Sequence, residues 1–256
     1  MNSWKNTKTI ASYHIFTNVN NKLNSNKNKV LAIDKKLVKD IPFWKRTMDI
    51  SGAICGLIVF APLFLFIAII IKIVSPGPIF FKQKRIGCGG VIFNFIKFRT
   101  MKENSNHLVH KKYLQQLISS CNLDKNNGKP MEKLKKDQRI IKYGHFLRAS
   151  GLDELPQLVN VLMGQMSLVG PRPPIPYEAE QYRTWYRGRF DVVPGLTGLW
   201  QTSGKNKLGF NEMIRLDIQY ARKRSLFLDL KIIIKTPYIL FLQVRDLKTG
   251  RISKQL

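Results

Sequence analysis

A chain of 256 residues that is 44% apolar can bury a sizeable core, as one large domain or two small ones. Its 43 Lys and Arg against 16 Asp and Glu give a formal charge of +27. Such an excess calls for an anionic partner: nucleic acid, an acidic membrane surface or a phosphorylated substrate. Three scattered cysteines, Cys55, Cys88 and Cys121, exclude a disulfide framework and lack metal-ligand spacing, so a reducing compartment is expected.

Residues 1–44 are rich in Asn and Lys, with "NVNNKLNSNKNK" close to low complexity. Too few apolar residues recur there to offset the ordering entropy, which predicts a flexible basic tail. No apolar run leads to a small-residue cleavage site, so no secretory signal is expected.

The uncharged run "ISGAICGLIVFAPLFLFIAIII", Ile50–Ile71, has the length of a membrane helix, which needs ~20 residues. A buried core helix is the rival reading, but a helix of a soluble protein normally shows a polar face, and this run has none. Lys39, Lys45 and Arg46 lie upstream, and Lys72, Lys82, Lys84 and Arg85 downstream. The positive-inside rule asks both basic flanks to stay on the cytoplasmic side. Pro62 removes a backbone hydrogen bond mid-run and favours a kink, and Gly52 and Gly56 add pliability. A helix over 45–73 that dips in and returns satisfies charges and proline together; a straight span satisfies only the length. The re-entrant form is preferred.

"SPGPIFFKQKRIGCGGVIFNFIKFRTM", Ser75–Met101, opens on turn chemistry and places two apolar runs around Gly87, Gly89 and Gly90. It reads as a β-hairpin with a glycine loop. Alternation puts Lys97 and Arg99 on one strand face. Residues 102–136 read as a polar insertion or lid, with His107 and His110 as surface residues.

"DQRIIKYGHFLRASGLDELPQLVNVLMGQMSLVGPRP" begins with a helix through Phe146 and Arg148. Ser150 or Asp153 can cap the next helix, whose first turn would hold Asp153, Glu154 and Pro156. Acids at a helix start stabilise it by ~0.3–1 kcal/mol, which accounts for one carboxylate better than for two. An apolar face of Leu158, Val161 and Leu162 follows, and Gly170 and Pro171 form a turn that presents Arg172. An Arg on a rigid turn suits bidentate phosphate contact. Adjacent carboxylates near such an Arg suit metal-assisted phosphoryl transfer.

At the C-terminal end, "NEMIRLDIQYARKR" puts Ile214, Ile218 and Ala221 on one helix face, with Arg215 and Arg222 outside it. "SLFLDLKIIIKTPYILFLQV", Ser225–Val244, reads as a helix lying in a membrane interface, with Lys231 and Lys235 reaching headgroups. A second span is the rival reading, interrupted by Asp229, both lysines and Pro237. Asp217 and Asp229 are left as capping or pairing residues.

Several stretches together resemble the bacterial sugar transferase family, the monotopic polyprenyl-phosphate phosphoglycosyl transferases. They are "FWKRTMDI", "SPGPIFFKQKRIG", "FNFIKFRTM", "HFLRASGLDELPQLVNVLMGQMSLVGPRP", "VVPGLTGLWQTSGK" and "RLDIQYARKRSLFLDLKIIIKT", in family order from Phe43 to about Thr236. The resemblance implies transfer of a sugar-1-phosphate from a nucleotide sugar, UDP-hexose in the hexose-1-phosphate branch, to a polyprenyl phosphate, with release of UMP. It implies a ping-pong reaction with Mg2+. Asp153 would be the nucleophile that carries a covalent phospho-sugar, and Glu154 its partner; both would hold the metal. Lys97, Arg99, Arg148 and Arg172 are the candidates for phosphate binding.

The expected fold is α+β and helix-rich. It comprises a re-entrant membrane helix (45–73), a small β-hairpin and amphipathic interfacial helices around a cytoplasmic catalytic domain (74–244), with a C-terminal tail at 245–256. The expected place is the inner leaflet of the bacterial cytoplasmic membrane, with no nucleic acid and with a homodimer left open. Gly151, Gln165 and Val193 depart from the family pattern, where Ser, Asp and a basic residue are usual. The last two could alter donor fit or local charge. The rival from another class is a membrane-tethered basic protein that binds nucleic acid or acidic lipid and does no chemistry.

Overall fold

The computed structural model describes residues 40–102, 118, 139–204 and 208–249. The tail at 1–39, the insertion with His107 and His110, Cys121, residues 205–207 and residues 250–256 lie outside them.

The apolar run forms two helices, α1 (Phe43–Val59) and α2 (Ala61–Val74), bent by 60° at Phe60. The bend falls where Pro62, in the first turn of α2, cannot donate to the preceding turn. Gly52 and Gly56 face close neighbours. A Cβ on Gly52 would meet Leu168 Cδ1 at 2.6 Å, and one on Gly56 would meet Leu158 Cδ1 at 3.0 Å. Both arms dock on the same folded unit. Ala53 of α1 packs with Phe93, Phe95, Leu158, Val161 and Met166, whereas Ile67 and Ile71 of α2 pack with Phe98, Ile141 and Leu147. The outer faces carry exposed Ile58, Val59, Leu65, Phe66 and Ile73.

Of the upstream cations, Lys45 and Arg46 are not free to face headgroups. Lys45 is buried, with its Nζ 2.6 Å from Asp229 Oδ2 and 3.0 Å from the Val169 carbonyl. Arg46 donates at 2.7 Å to the carbonyls of both Val161 and Leu162, closing the end of a later helix. The charge pattern that suggested topology is therefore, for these two residues, a pattern of internal ties.

The expected hairpin forms from β1 (Phe80–Ile86) and β2 (Ile92–Phe98), antiparallel, with Phe81 opposite Lys97 and Arg85 opposite Phe93. Opposed residues share a face, so Phe81, Gln83, Arg85 and Lys97 point the same way. Then follow α3 (Gly144–Ser150), a 3-10 turn (Leu152–Glu154) and α4 (Gln157–Leu162). Asn160 ties α4 to β2: its Oδ1 accepts from Ile96 N at 3.1 Å and its Nδ2 donates to Asn94 O at 2.8 Å. Gln165 Oε1 accepts from the same Nδ2 at 2.7 Å, so this departure from the family pattern keeps an acceptor there.

β3 (Ser167–Val169) pairs in parallel with β4 (Gly195–Thr197), a contact the sequence reading did not foresee. Between the two strands lie the one-turn helix α5 (Pro176–Ala179) and a 3-10 segment over Thr184–Phe190. Glycine permits this pairing: a Cβ on Gly195 would lie 2.0 Å from Gly170 N. The chain ends in α6 (Leu199–Thr202), α7 (Phe210–Lys223) and α8 (Leu226–Lys248). As expected, α7 buries Ile214 and Ala221 and exposes Arg215 and Arg222. On α8, Phe227, Leu230, Ile234, Tyr238 and Phe241 form an exposed apolar stripe beside exposed Lys231 and Lys235. The opposite face sinks Asp229 and Ile232 into the core. Among the described residues no single helix is long and apolar enough to cross a membrane.

Candidate active site

The site begins where α3 stops. Gly151 takes φ 72°, a left-handed conformation that suits glycine, and turns the chain out of the helix. One 3-10 turn follows, closed by Glu154 N donating to Gly151 O at 3.0 Å. Leu152 pins it by packing against the cluster of Ile67, Ile71 and Phe98. Neither expected cap forms. Ser150 Oγ bonds back to the Phe146 and Leu147 carbonyls, and α4 starts from Pro156 with no side-chain cap. The two acids therefore lie in the single 3-10 turn before α4 and not in the first turn of that helix.

Asp153 is buried, at 5% exposure. Burial pushes its carboxyl up to about 6; the neighbouring Glu154 adds to the rise, and Lys97, Arg148 and Arg172 pull against it. No hydrogen bond from the described residues reaches this carboxylate. Glu154 is partly exposed and accepts from Arg172 Nη1 at 3.1 Å. That contact holds the Arg172 guanidinium above its usual value.

Lys97 reaches the same place from β2. Its Nζ sits 5.3 Å from the centre of the Phe81 ring across the hairpin. Burial draws its ammonium down to about 8, against the opposing pull of Asp153. Arg148, exposed on the last turn of α3, acts on both Asp153 and Lys97. Three of the four expected phosphate binders thus converge on the dyad. Arg99 stands apart. It lies one residue beyond β2, is buried, and donates to the Pro76 carbonyl at 2.8 Å and the Ser75 carbonyl at 2.5 Å. Alternation placed it on the Lys97 face, but the strand ends before it, and its terminal nitrogens fasten the loop after α2.

A fourth cation lies nearby, outside the four that the sequence suggests. Arg85 is buried over the Phe95 ring, with its guanidinium carbon 5.1 Å from the centroid. Burial pulls its guanidinium down to about 10, and Arg172 adds to the fall. The available signal was parity: Arg85 and Lys97 share the inward face once the hairpin register is fixed.

The result is two adjacent carboxylates amid Lys97, Arg148, Arg172 and Arg85. This excess of positive charge suits a bound diphosphate. Among the described residues no three His, Cys, Asp or Glu side chains cluster as a metal cage. The donor set of Asp153 and Glu154 fits Mg2+, which commonly takes one or two carboxylates and completes its shell with water and substrate phosphate.

Comparison with known proteins identifies the family. The family model described as "Bacterial sugar transferase" matches residues 41–243. The chain is 40% identical over 199 residues to the "Galactosyl transferase CpsE" of Streptococcus agalactiae serotype III, covering 77% of this chain and 42% of that protein. It is 40% identical over 192 residues to the "Exopolysaccharide production protein ExoY" of Sinorhizobium fredii, covering 75% and 83%. It is 38% identical over 203 residues to the "UDP-glucose:undecaprenyl-phosphate glucose-1-phosphate transferase" of Caulobacter vibrioides, covering 75% and 67%. The chain therefore spans less than half of the streptococcal relative and most of the rhizobial one.

Proposed function

This chain belongs to the bacterial sugar transferase family, and on that premise we propose that it transfers a hexose-1-phosphate from a UDP-sugar to undecaprenyl phosphate and releases UMP. The reaction would begin a surface polysaccharide or glycoconjugate. Relatives named for exopolysaccharide production and for glucose-1-phosphate transfer to undecaprenyl phosphate support the reading. The observation that carries it is the buried Asp153, which accepts no hydrogen bond among the described residues and is surrounded by phosphate-compatible cations.

In this mechanism an Asp153 carboxylate oxygen attacks the phosphorus that bears the sugar. An Asp–O–P bond forms, the P–O bond to UMP breaks, and UMP departs. The phosphate oxygen of the lipid then attacks the same phosphorus. The Asp–O–P bond breaks, giving the polyprenyl-diphosphate sugar and restoring the carboxylate. Lys97, Arg148 and Arg172 hold phosphate oxygens, and the excess of cations stabilises charge in both transition states. Asp153 and Glu154 would hold Mg2+, which when bound supplies Lewis-acid charge neutralisation at phosphate. The order suits the chemistry, since UMP leaves before a second anionic substrate must approach.

The bent helix pair is read as re-entrant from the cytoplasmic face of the inner membrane. At 1.5 Å per residue the arms are about 25 and 21 Å long, each shorter than a ~30 Å hydrocarbon core. Both arms also dock on one folded unit, which a crossing helix would have to do from two sides of the membrane. The exposed stripe of α8 lies in the interface, with Lys231 and Lys235 toward headgroups.

The test is UMP release from UDP-hexose by membranes carrying the protein plus undecaprenyl phosphate. Radiolabelled donor should leave sugar phosphate on the peptide containing Asp153. Normal product yield with no labelled peptide would end the covalent mechanism. Salt-sensitive nucleic-acid binding without UMP would favour a non-catalytic basic tether. Cysteines placed in the tail and after Lys72 should label from the same side of sealed vesicles; opposite sides would mean a span.

A further inference from the structure

Arg172 reaches Glu154 from a turn that has no regular secondary structure of its own, so something else must fix its main chain. Two buried arginines grasp that turn. Arg189 Nη2 donates to the Arg172 carbonyl at 2.7 Å and to Asp217 Oδ2 at 2.6 Å, while its Nη1 donates to Tyr182 Oη at 2.6 Å. Tyr182 in turn donates to Glu178 Oε1 at 2.5 Å. From the hairpin, Arg85 Nη1 donates to the Pro173 carbonyl at 3.0 Å and Ile86 N to the Pro174 carbonyl at 3.0 Å. Gly195 N donates to the Pro171 carbonyl at 2.8 Å. Four successive carbonyls, 171 to 174, are thus each held by a separate donor.

The Arg189–Asp217 pair is nearly fully buried, at 5% and 1% side-chain exposure. Buried ion pairs are weak sources of stability, because desolvation offsets their attraction. An apolar pair would fill this core at no loss, but it would leave the Arg172 carbonyl without its donor. We propose that Asp217 and Arg189, seconded by Arg85, are positioning residues for the transfer reaction: they fix the Arg172 main chain and thereby aim its guanidinium at Glu154. Asp217 lies in α7, far in sequence from the dyad, and acts only through Arg189 and Arg172. The inference rests on the proposed transferase reading.

The test uses the full chain in lipid nanodiscs with UDP-hexose and undecaprenyl phosphate. Asp217→Asn keeps the shape of the side chain, and Arg189→Lys keeps the charge. Each should lower kcat by ~10–100-fold with donor KM changed less than about twofold, in line with losses at supporting residues of catalytic groups. In an Arg172→Ala background, Asp217→Asn should cost less than about twofold more, since its route is already cut. Hydrogen exchange supplies a readout without turnover: the Ile86 and Gly195 amides should exchange faster in Asp217→Asn while α4 amides do not. Wild-type kcat in Asp217→Asn, a loss that multiplies with Arg172→Ala, or unchanged exchange at Ile86 and Gly195 would each overturn the proposal. If wild-type protein releases no UMP, the transferase reading fails instead, and the exchange measurement still reports on the clamp.

Discussion

Two buried aspartates in this chain sit in opposite electrostatic settings. Asp229, fully buried at the junction of α1, α7 and α8, has both oxygens matched: Lys45 at 2.6 Å on one and Tyr220 Oη at 2.7 Å on the other. Asp153, nearly as buried, has cations acting on it from Lys97, Arg148 and Arg172 but no hydrogen-bond donor among the described residues. The first arrangement satisfies the charge and locks three helices together. The second leaves the carboxylate without a donor among the described residues and places cations around it, the arrangement that the proposed transfer requires. Depth of burial is nearly equal in the two; the allocation of partners separates the tie at Asp229 from the nucleophile proposed at Asp153.

The sharpest way to break this contrast is Asp153→Asn. It should lower UMP release by at least ~1,000-fold, since a covalent nucleophile has no substitute, while membrane association stays unchanged. The same variant should melt higher. Between the ordinary value of 3.8 and about 6, the native chain binds more protons at Asp153 than the unfolded chain does. Stability therefore falls as pH rises through that window, and at pH 8 the amide should recover roughly 1–3 kcal/mol. A lower melting temperature would put Asp153 in the same class as Asp229.

Lys45→Met, conversely, strands Asp229 without its cation. It should cost about 3–5 kcal/mol in chemical denaturation, much of which a second change, Asp229→Leu, returns. Were Lys45→Met to unfold at the wild-type denaturant concentration, the junction would not be the tie described. The pH profile of kcat/KM for the donor should be bell-shaped, rising through about 6 as Asp153 ionises and falling through about 8 as Lys97 loses its charge. Glu154→Gln should move the acidic limb downward, because it removes a like charge that raises Asp153. Gly151→Ala is the smallest effect expected, about 1–2 kcal/mol for a left-handed alanine. Its new methyl would also meet Leu240 Cδ2 of α8 at 3.1 Å. Calorimetry would read it, and a neutral result would mean that the turn before Asp153 can change conformation freely.

Local features were legible in the sequence because their causes are local. Turn chemistry and two alternating runs specified the hairpin, and Pro62 specified the bend. The spacing of Ile214, Ile218 and Ala221 specified the inward face of α7. The dyad stood out as a pair of adjacent acids in a basic chain, and Lys97, Arg148 and Arg172 were named with it. Arg99 departs from the Lys97 face because alternation says nothing about where a strand stops. The place of Arg85 is not legible in the sequence because its face is defined only once the hairpin register is known. The close neighbours of the α1 glycines, Leu158 and Leu168, are not legible locally because they are distant in sequence.

By itself the sequence determined which segments are apolar, where the chain turns and which two carboxylates are adjacent, since propensity and periodicity act over a few residues. Only the tertiary structure decided that Lys45 and Arg46 are internal ties, that Asp217 reaches Arg172 through Arg189, and that Asp153 is left without a hydrogen-bond partner among the described residues. Those outcomes depend on which donors meet which acceptors across long stretches of chain, as Lys45 and Asp229 do at a separation of 184, and no local pattern encodes that choice.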